Sequence, residues 1–139
     1  MDDIQYTQYY VAFLDVLGFK NMVNNSSYTC KKIVDIYALV QYRYETFFKS
    51  KIEVQDNIKM KIMSDRICLY IMKDFPNALP YLISYCVAFQ CDLLLATGLL
   101  LRGGITSGDM YVKDDIIFGP ALTEAYLLEE KMQKSLESL

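Results

Sequence analysis

The chain has 139 residues, 53% hydrophobic and 22% charged, which describes one globular domain with a sizeable core. A net charge of −3 supplies no basic footprint, which argues against duplex nucleic acid as the partner. Histidine is absent, which excludes Ser-His-Asp and Cys-His nucleophile systems and His-ligated zinc.

Residues 1–8 form a polar lead-in, and Tyr9 to Leu14 is β-branched and aromatic, long enough for one buried strand. Asp15 follows at the strand's end, then a Leu17-Gly18-Phe19 turn. Gly18 lets the backbone turn tightly, so amide N–H groups of the turn and of the next helix can face a ligand. Strand, carboxylate, glycine turn and helix together suit a metal that itself holds phosphates. Alternatively, Asp15 simply caps the helix that follows.

Lys20 to Asn25 reads as a short helix ending at Asn-Asn-Ser-Ser, and Tyr28 to Lys49 as a longer one. In the longer helix Ile33, Tyr37, Val40, Tyr44, Phe47 and Phe48 recur at three- and four-residue spacings. Ile52 to Met72 reads as strand material broken by turns at Gln55-Asp-Asn57 and Ser64-Asp-Arg66. Asp65 is thereby a second isolated carboxylate at the end of an apolar strand.

Asp74-Phe-Pro-Asn-Ala-Leu-Pro80 opens a long helix from about Ala78 to Thr97, with Gly98 as its C′ residue. This helix is apolar on nearly every side, but Gln90 and Asp92 near its middle make a membrane span costly. Burial on two sides, by its own sheet and by a partner chain, is the expected arrangement. Leu99 to Gly108 is a strand whose paired glycines allow close approach of a neighbour. Met110–Val112 and Ile116–Phe118 form a hairpin through Lys113-Asp-Asp115. Gly119-Pro120 starts a last helix with Leu122, Ala125, Tyr126 and Leu128 on its apolar side, and the pattern frays from Glu129 onward.

Cys30, Cys68, Cys86 and Cys91 lie in apolar segments without C-x2-C spacing and read as reduced thiols. With no signal peptide at the N-terminus, a cytoplasmic location is expected. The element order is β-α-β-β-α-β followed by a hairpin and a helix. It spells an α+β, ferredoxin-like antiparallel sheet with helices on one face. In that arrangement the ends of the first strand and of the central hairpin are neighbours. Asp15 and Asp65 then come together, which favours a shared metal over two separate caps.

Four segments resemble the class III nucleotidyl cyclases, in that family's own order. Phe13-Leu-Asp-Val-Leu-Gly-Phe-Lys20 resembles F-x-D-I-x-G-F-T, and Lys61-Ile-Met-Ser-Asp65 resembles K-x-x-G-D. Leu101-Arg-Gly-Gly-Ile-Thr-Ser-Gly108 resembles R-x-G-I-x-x-G. Phe118-Gly-Pro-Ala-Leu-Thr-Glu-Ala-Tyr-Leu-Leu-Glu129 resembles G-x-x-V-N-x-A-x-R-L-E. The phrasing is nearest to bacterial cyclase-like proteins, including the pyrimidine cyclases of anti-phage Pycsar systems.

The resemblance implies a single cyclase-like domain over 1–139 that lacks the family's C-terminal strands, and conversion of a nucleoside triphosphate to a 3′,5′-cyclic nucleotide and pyrophosphate. Its catalytic residues would be Asp15 and Asp65, which with the carbonyl of Val16 would hold two divalent cations, Mg²⁺ or Mn²⁺. The nucleotide would meet Leu17, Gly18, Phe19, Lys61, Ile116 and Thr123. Lys61 falls on one base-reading position and Ile116 on the other, which is usually polar. Thr123 and Leu127 stand where the family has the Asn and Arg that orient the ribose and stabilise the transition state. Arg66, Arg102 and Lys113 are the cations nearest in sequence to substitute. A homodimer with the site at its interface is implied, with neither nucleic acid nor membrane as partner. Two rivals remain: a degenerate nucleotide-binding or dimerisation module of the same fold, and a palm-type cyclic-dinucleotide synthase. The second lacks its G-G-D/E-E-F segment here, where Met63-Ser-Asp-Arg66 stands instead.

Overall fold

The computed structural model describes residues 4–18, 27–47, 49, 51–63 and 66–137. The elements in order are β1 (Thr7–Val16), α1 (Ser27–Phe47), α2 (Ile52–Asn57), β2 (Lys59–Met63), β3 (Arg66–Met72), α3 (Ala78–Thr97), β4 (Leu101–Lys113), β5 (Ile116–Phe118) and α4 (Pro120–Glu137). The strands form one sheet in the order β2-β3-β1-β4-β5, antiparallel throughout. The first four strands have the ferredoxin-like order that the sequence implies.

β1 is the centre of this sheet, and residues Val11 to Val16 are buried without a break. A strand covered on both faces reads as a continuous apolar run rather than an alternating one, which is why Tyr9–Leu14 is legible as a core strand. Ala12, Leu14 and Val16 face α1 and α3, with Ile36, Val40, Leu82, Tyr85, Phe89 and Leu93 packed over them. Val11 and Phe13 face the other way, against Ala121 and Ala125 of α4. Each such fully buried aliphatic or aromatic side chain contributes about 1.5–3 kcal/mol. The two crossover helices therefore share one face, and the C-terminal helix covers the other.

α4 reaches the sheet closely because the facing residues are small. Gly104 lies under Leu128, and Gly108 lies under Ala121, where an added Cβ would come within 3.4 Å of each. Between them Thr106 Oγ1 donates to the Ala121 carbonyl at 3.0 Å. Period two on the strand and period four on the helix (Ala121, Ala125, Glu129) thus mesh. The helix runs along β4 from Gly108 towards Arg102 and arrives over the end of β1.

Three local expectations change. Ile52–Asn57 is a short helix rather than strand, since only Val54 of this stretch is buried and Ile52 is 69% exposed. One face anchored by a single residue suits a helical turn better than a paired strand. β4 runs unbroken from Leu101 to Lys113, so the strand expected over Leu99–Gly108 starts two residues later and is continuous with Met110–Val112. α4 continues to Glu137 instead of fraying at Glu129, because Glu129 is itself a buried, sheet-facing residue. The expected short helix at Lys20–Asn25 lies outside the described residues.

α3 shows one buried stripe, Ala78, Leu82, Tyr85, Phe89 and Leu93, and ends at Gly98, whose N–H bonds the Leu94 carbonyl. Its length and composition would suffice to cross a membrane. Its two central polar groups, however, are used internally. Asp92 pairs with Arg43 of α1, and Gln90 Oε1 accepts the Leu101 N–H at 2.7 Å. The outward face keeps Ile83, Val87, Leu94 and Leu95 exposed.

At Gly103 a Cβ would sit 2.0 Å from the Phe13 carbonyl oxygen and 2.9 Å from Leu14 Cδ2. Gly103→Ala is therefore expected to destabilise the protein by about 3 kcal/mol. Its thermal midpoint should fall by roughly 10 °C in a calorimetric or fluorescence melt.

Candidate functional site: a buried charge cluster at the end of the central strand

Asp15 is the last-but-one residue of β1 and is 4% exposed. Its neighbours in register are Arg66 on β3 and Arg102 on β4. Odd-numbered residues of β1 face α4, so Asp15 points the same way as Val11 and Phe13. Burying an isolated carboxylate is costly, and the cross-strand neighbours answer that cost. Arg102 binds Asp15 as a fork, Nε to Oδ1 at 2.9 Å and Nη2 to Oδ2 at 3.1 Å. Such bidentate, charge-assisted pairs are among the stronger hydrogen bonds a protein makes.

Arg66 reaches towards α4. Its guanidinium lies 4.5 Å from the Tyr126 ring centre and 5.8 Å from that of Phe13, and these two rings meet edge to face at 5.9 Å. Arg66 Nη2 is 3.2 Å from Glu129 Oε2. Glu129 is fully buried, and its carboxylate faces Arg66 and Asp15. Burial first, then the nearness of Asp15 as hydrogen-bond partner and like charge, push the Glu129 carboxyl up to about 7, with Arg66 and Arg102 opposing. Two carboxylates and two guanidiniums thus share one site.

The turn after β1 has the form its glycine implies. Gly18 has φ of 82°, a left-handed conformation that favours glycine, and Leu17 N–H bonds the Leu100 carbonyl at 2.8 Å. Val16 is buried opposite Leu101, while Leu17 is 38% exposed. Asp65 and Phe19 lie outside the described residues; Arg66, which follows Asp65 in the chain, stands directly opposite Asp15.

Lys61 and Ile116 come together at a different corner. β2 and β5 stand at opposite edges of the sheet, yet Lys61 Nζ donates to the carbonyl of Asp115, the residue before Ile116. Ile116 is 60% exposed and leaves its side chain free for contact. Thr123 lies on the outward side of α4, where its N–H and hydroxyl both use the Gly119 carbonyl, and Leu127 is exposed one turn further on. Within one chain, then, Thr123 and Leu127 face away from the buried row that carries Glu129.

Sequence reasoning missed Glu129 as a site residue, although Ala121, Ala125 and Glu129 form a four-residue period that continues past the supposed fray. Among the described residues no group of three or more His, Cys, Asp or Glu side chains is preassembled for a metal. Asp15 is the described carboxylate that could turn to a hard divalent cation; in this structure Arg102 holds both of its oxygens.

The fold has counterparts among solved structures. The adenylyl cyclase CyaB from P. aeruginosa matches with a TM-score of 0.64 at 17% identity, over 91% of this chain and 73% of that one. The guanylyl cyclase domain of the RhoGC fusion protein from the aquatic fungus Blastocladiella emersonii matches with 0.67 at 16% identity, over 91% and 76%. The guanylate cyclase domain of RhGC from Catenaria anguillulae, solved with GTP, matches with 0.65 at 14% identity, over 91% and 74%. No family model and no curated protein sequence matches the chain. The chain therefore has the fold of adenylyl and guanylyl cyclase catalytic domains, and spans about three quarters of them.

Because Glu129 binds its proton more tightly in the folded chain, folding holds a proton that the unfolded chain releases near 4.5. In EDTA, the stability of the wild type relative to Glu129→Gln should be highest below that pH. It should fall as pH rises to about 7 and level off above it. Urea titrations of both proteins across this range measure the difference.

Proposed function

We propose that this protein is a nucleotidyl cyclase that closes the ribose 3′-hydroxyl of a nucleoside triphosphate onto its α-phosphorus, releasing pyrophosphate. The observation that supports it most is Asp15, a buried carboxylate ending the central strand of a cyclase-type sheet, beside the Gly18 turn. Asp15 and Asp65, with the Val16 carbonyl, would hold divalent cations, Mg²⁺ or Mn²⁺. Bound there, the metal would lower the pKa of the attacking hydroxyl and neutralise the triphosphate.

The chain's own residues do the positioning. The turn at Leu17–Gly18 and Phe19 would bring backbone donors to the phosphates. Arg102 would move from Asp15 once a cation takes over its charge. Lys61, beside Asp115 and Ile116, would meet the base with one flexible donor. The absence of histidine is no obstacle, because positioning and electrostatics do most of the work in phosphoryl chemistry. A cyclic nucleotide so made would serve as a messenger, in keeping with the anti-phage role that the Pycsar-like phrasing implies.

We also propose a homodimer. An open apolar cleft of about 260 Å³ lies between α3 and β4, lined by Leu14, Cys86, Val87, Leu101 and Gly103 among others. It adjoins the exposed Ile83, Val87, Leu94 and Leu95 of α3, a patch of the kind that soluble proteins use for association. Sedimentation at micromolar concentration should show a dimer, and Val87→Glu should shift it to monomer; a wild-type monomer would remove this part of the proposal.

A second reading is a nucleotide-binding module without turnover. It is favoured by Thr123 and Leu127, whose exposed side chains supply neither the amide nor the guanidinium of the family. Incubation with each of the four ribonucleoside triphosphates and Mn²⁺, with products analysed by mass, separates the two. Cyclic product and pyrophosphate are expected, with UTP and CTP used alongside ATP and GTP because Ile116 has no polar group to leave unpaired. Asp15→Asn should lower the rate by at least about 10²-fold. Triphosphate binding without product would establish the module instead.

A further inference from the structure

Lys61 is bound in a way that an edge lysine need not be. β2 is the outer strand on one side of the sheet and β5 on the other, yet the Lys61 ammonium donates to the Asp115 carbonyl and ties the two edges together. Lys59, on the same side of β2, is exposed, the ordinary state of a lysine that guards a strand edge. Lys61 is instead partly buried and gives its charge to a neutral carbonyl. The hairpin that it holds is short. β5 has three residues, pairs with β4 through Tyr111–Phe118, Val112–Ile117 and Lys113–Ile116, and leaves Ile116 and Phe118 exposed. Its turn puts Asp114 at φ 53°, a left-handed conformation that a residue with a side chain adopts at a cost.

We infer that Lys61 is a strap that holds the β4–β5 turn in place while the site is empty, and that a nucleobase frees the turn by taking the ammonium from the Asp115 carbonyl. The inference rests on the cyclase reading above and adds a movement to it. The exchange is like for like: a base carbonyl or ring nitrogen accepts from an ammonium as a peptide carbonyl does, so the charge stays satisfied. What changes is the turn, which loses its tie to β2, and Ile116, next in the chain to Asp115, moves with it. The movement ends at Gly119. There φ is 144°, and an added Cβ would lie 2.6 Å from the Asp109 carbonyl oxygen, so the chain is pressed against the β4 backbone just before α4 begins. The freed stretch is therefore Asp114 to Phe118, and α4 stays seated.

Amide hydrogen exchange read by NMR on the full chain tests this in wild type and Lys61→Met. The ligands are the 3′-deoxynucleoside triphosphates of the four bases with Mg²⁺, which lack the attacking hydroxyl and so bind without turnover. Without nucleotide, Lys61→Met should exchange its amides between Asp114 and Phe118 at least about tenfold faster than wild type, with α4 unchanged. Saturating nucleotide should raise wild-type exchange in the same stretch towards that of the variant and leave the variant's turn as it was. The ¹³C resonance of the Asp115 carbonyl should move upfield in wild type as its donor leaves. Unchanged turn exchange in Lys61→Met, slower turn exchange in the wild-type complex, or an unmoved Asp115 carbonyl overturns the strap while leaving the cyclase reading intact. Failure of the wild type to bind any of the four triphosphates in calorimetry overturns both. If Lys61→Met does not fold, the wild-type exchange and carbonyl shift with and without nucleotide decide.

Discussion

The arrangement hangs on the burial of one carboxylate. Asp15 closes a strand that is covered on both faces, so its charge sits where water cannot screen it. A strand ending in Leu or Val there would fold more simply. Retaining Asp15 obliges both neighbouring strands to place a guanidinium beside it, Arg66 from β3 and Arg102 from β4. Removing one partner of a buried pair typically costs about 3–5 kcal/mol, because the other is left without a counter-charge. Charge balance within the cluster thus ties three strands together at one end.

The second constraint is steric. A helix can deliver a side chain onto a sheet end only if its axis approaches closely, and the glycines of β4 with the alanines of α4 allow that. Leu in place of either set would lift the helix by the thickness of a side chain and carry Glu129 out of reach of Arg66. Charge placement and close packing are here one design: the seam sets the depth, and the cluster uses it. The likeness to cyclase domains at 14–17% identity reflects the same backbone geometry carried by largely different side chains.

Much of this was legible in the sequence. The apolar run before Asp15, the turn glycine at Gly18 and the helix stop at Gly98 each have a local physical cause, and the structure reproduces them. The alternation of β and α then gives the strand order. Less legible was anything that depends on a partner far away in the chain. Ile52–Asn57 carries strand-like residues, but nothing lies beside it to pair with, so it coils. The last helix seemed to fray because its buried row ends in a charge, and a hydrophobic pattern does not register a buried Glu. Lys61 and Asp115 meet across opposite edges of the sheet, a proximity that no spacing in the sequence encodes.

The central position of β1 also sets an order of events during synthesis. Its two neighbours are β3, at Arg66–Met72, and β4, at Leu101–Lys113, so the central strand is made before both of its partners and waits for them. Until some ninety further residues have been made, at about 5–20 residues per second, one edge of that strand stays open. Pairings of such long range are slow to close and expose strand edges to other chains. Asp15 sits at the end of this waiting segment and is made before either arginine. A charge at that point opposes pairing between nascent copies, so the residue that burdens the finished core would act as a gatekeeper while the chain is still unfinished.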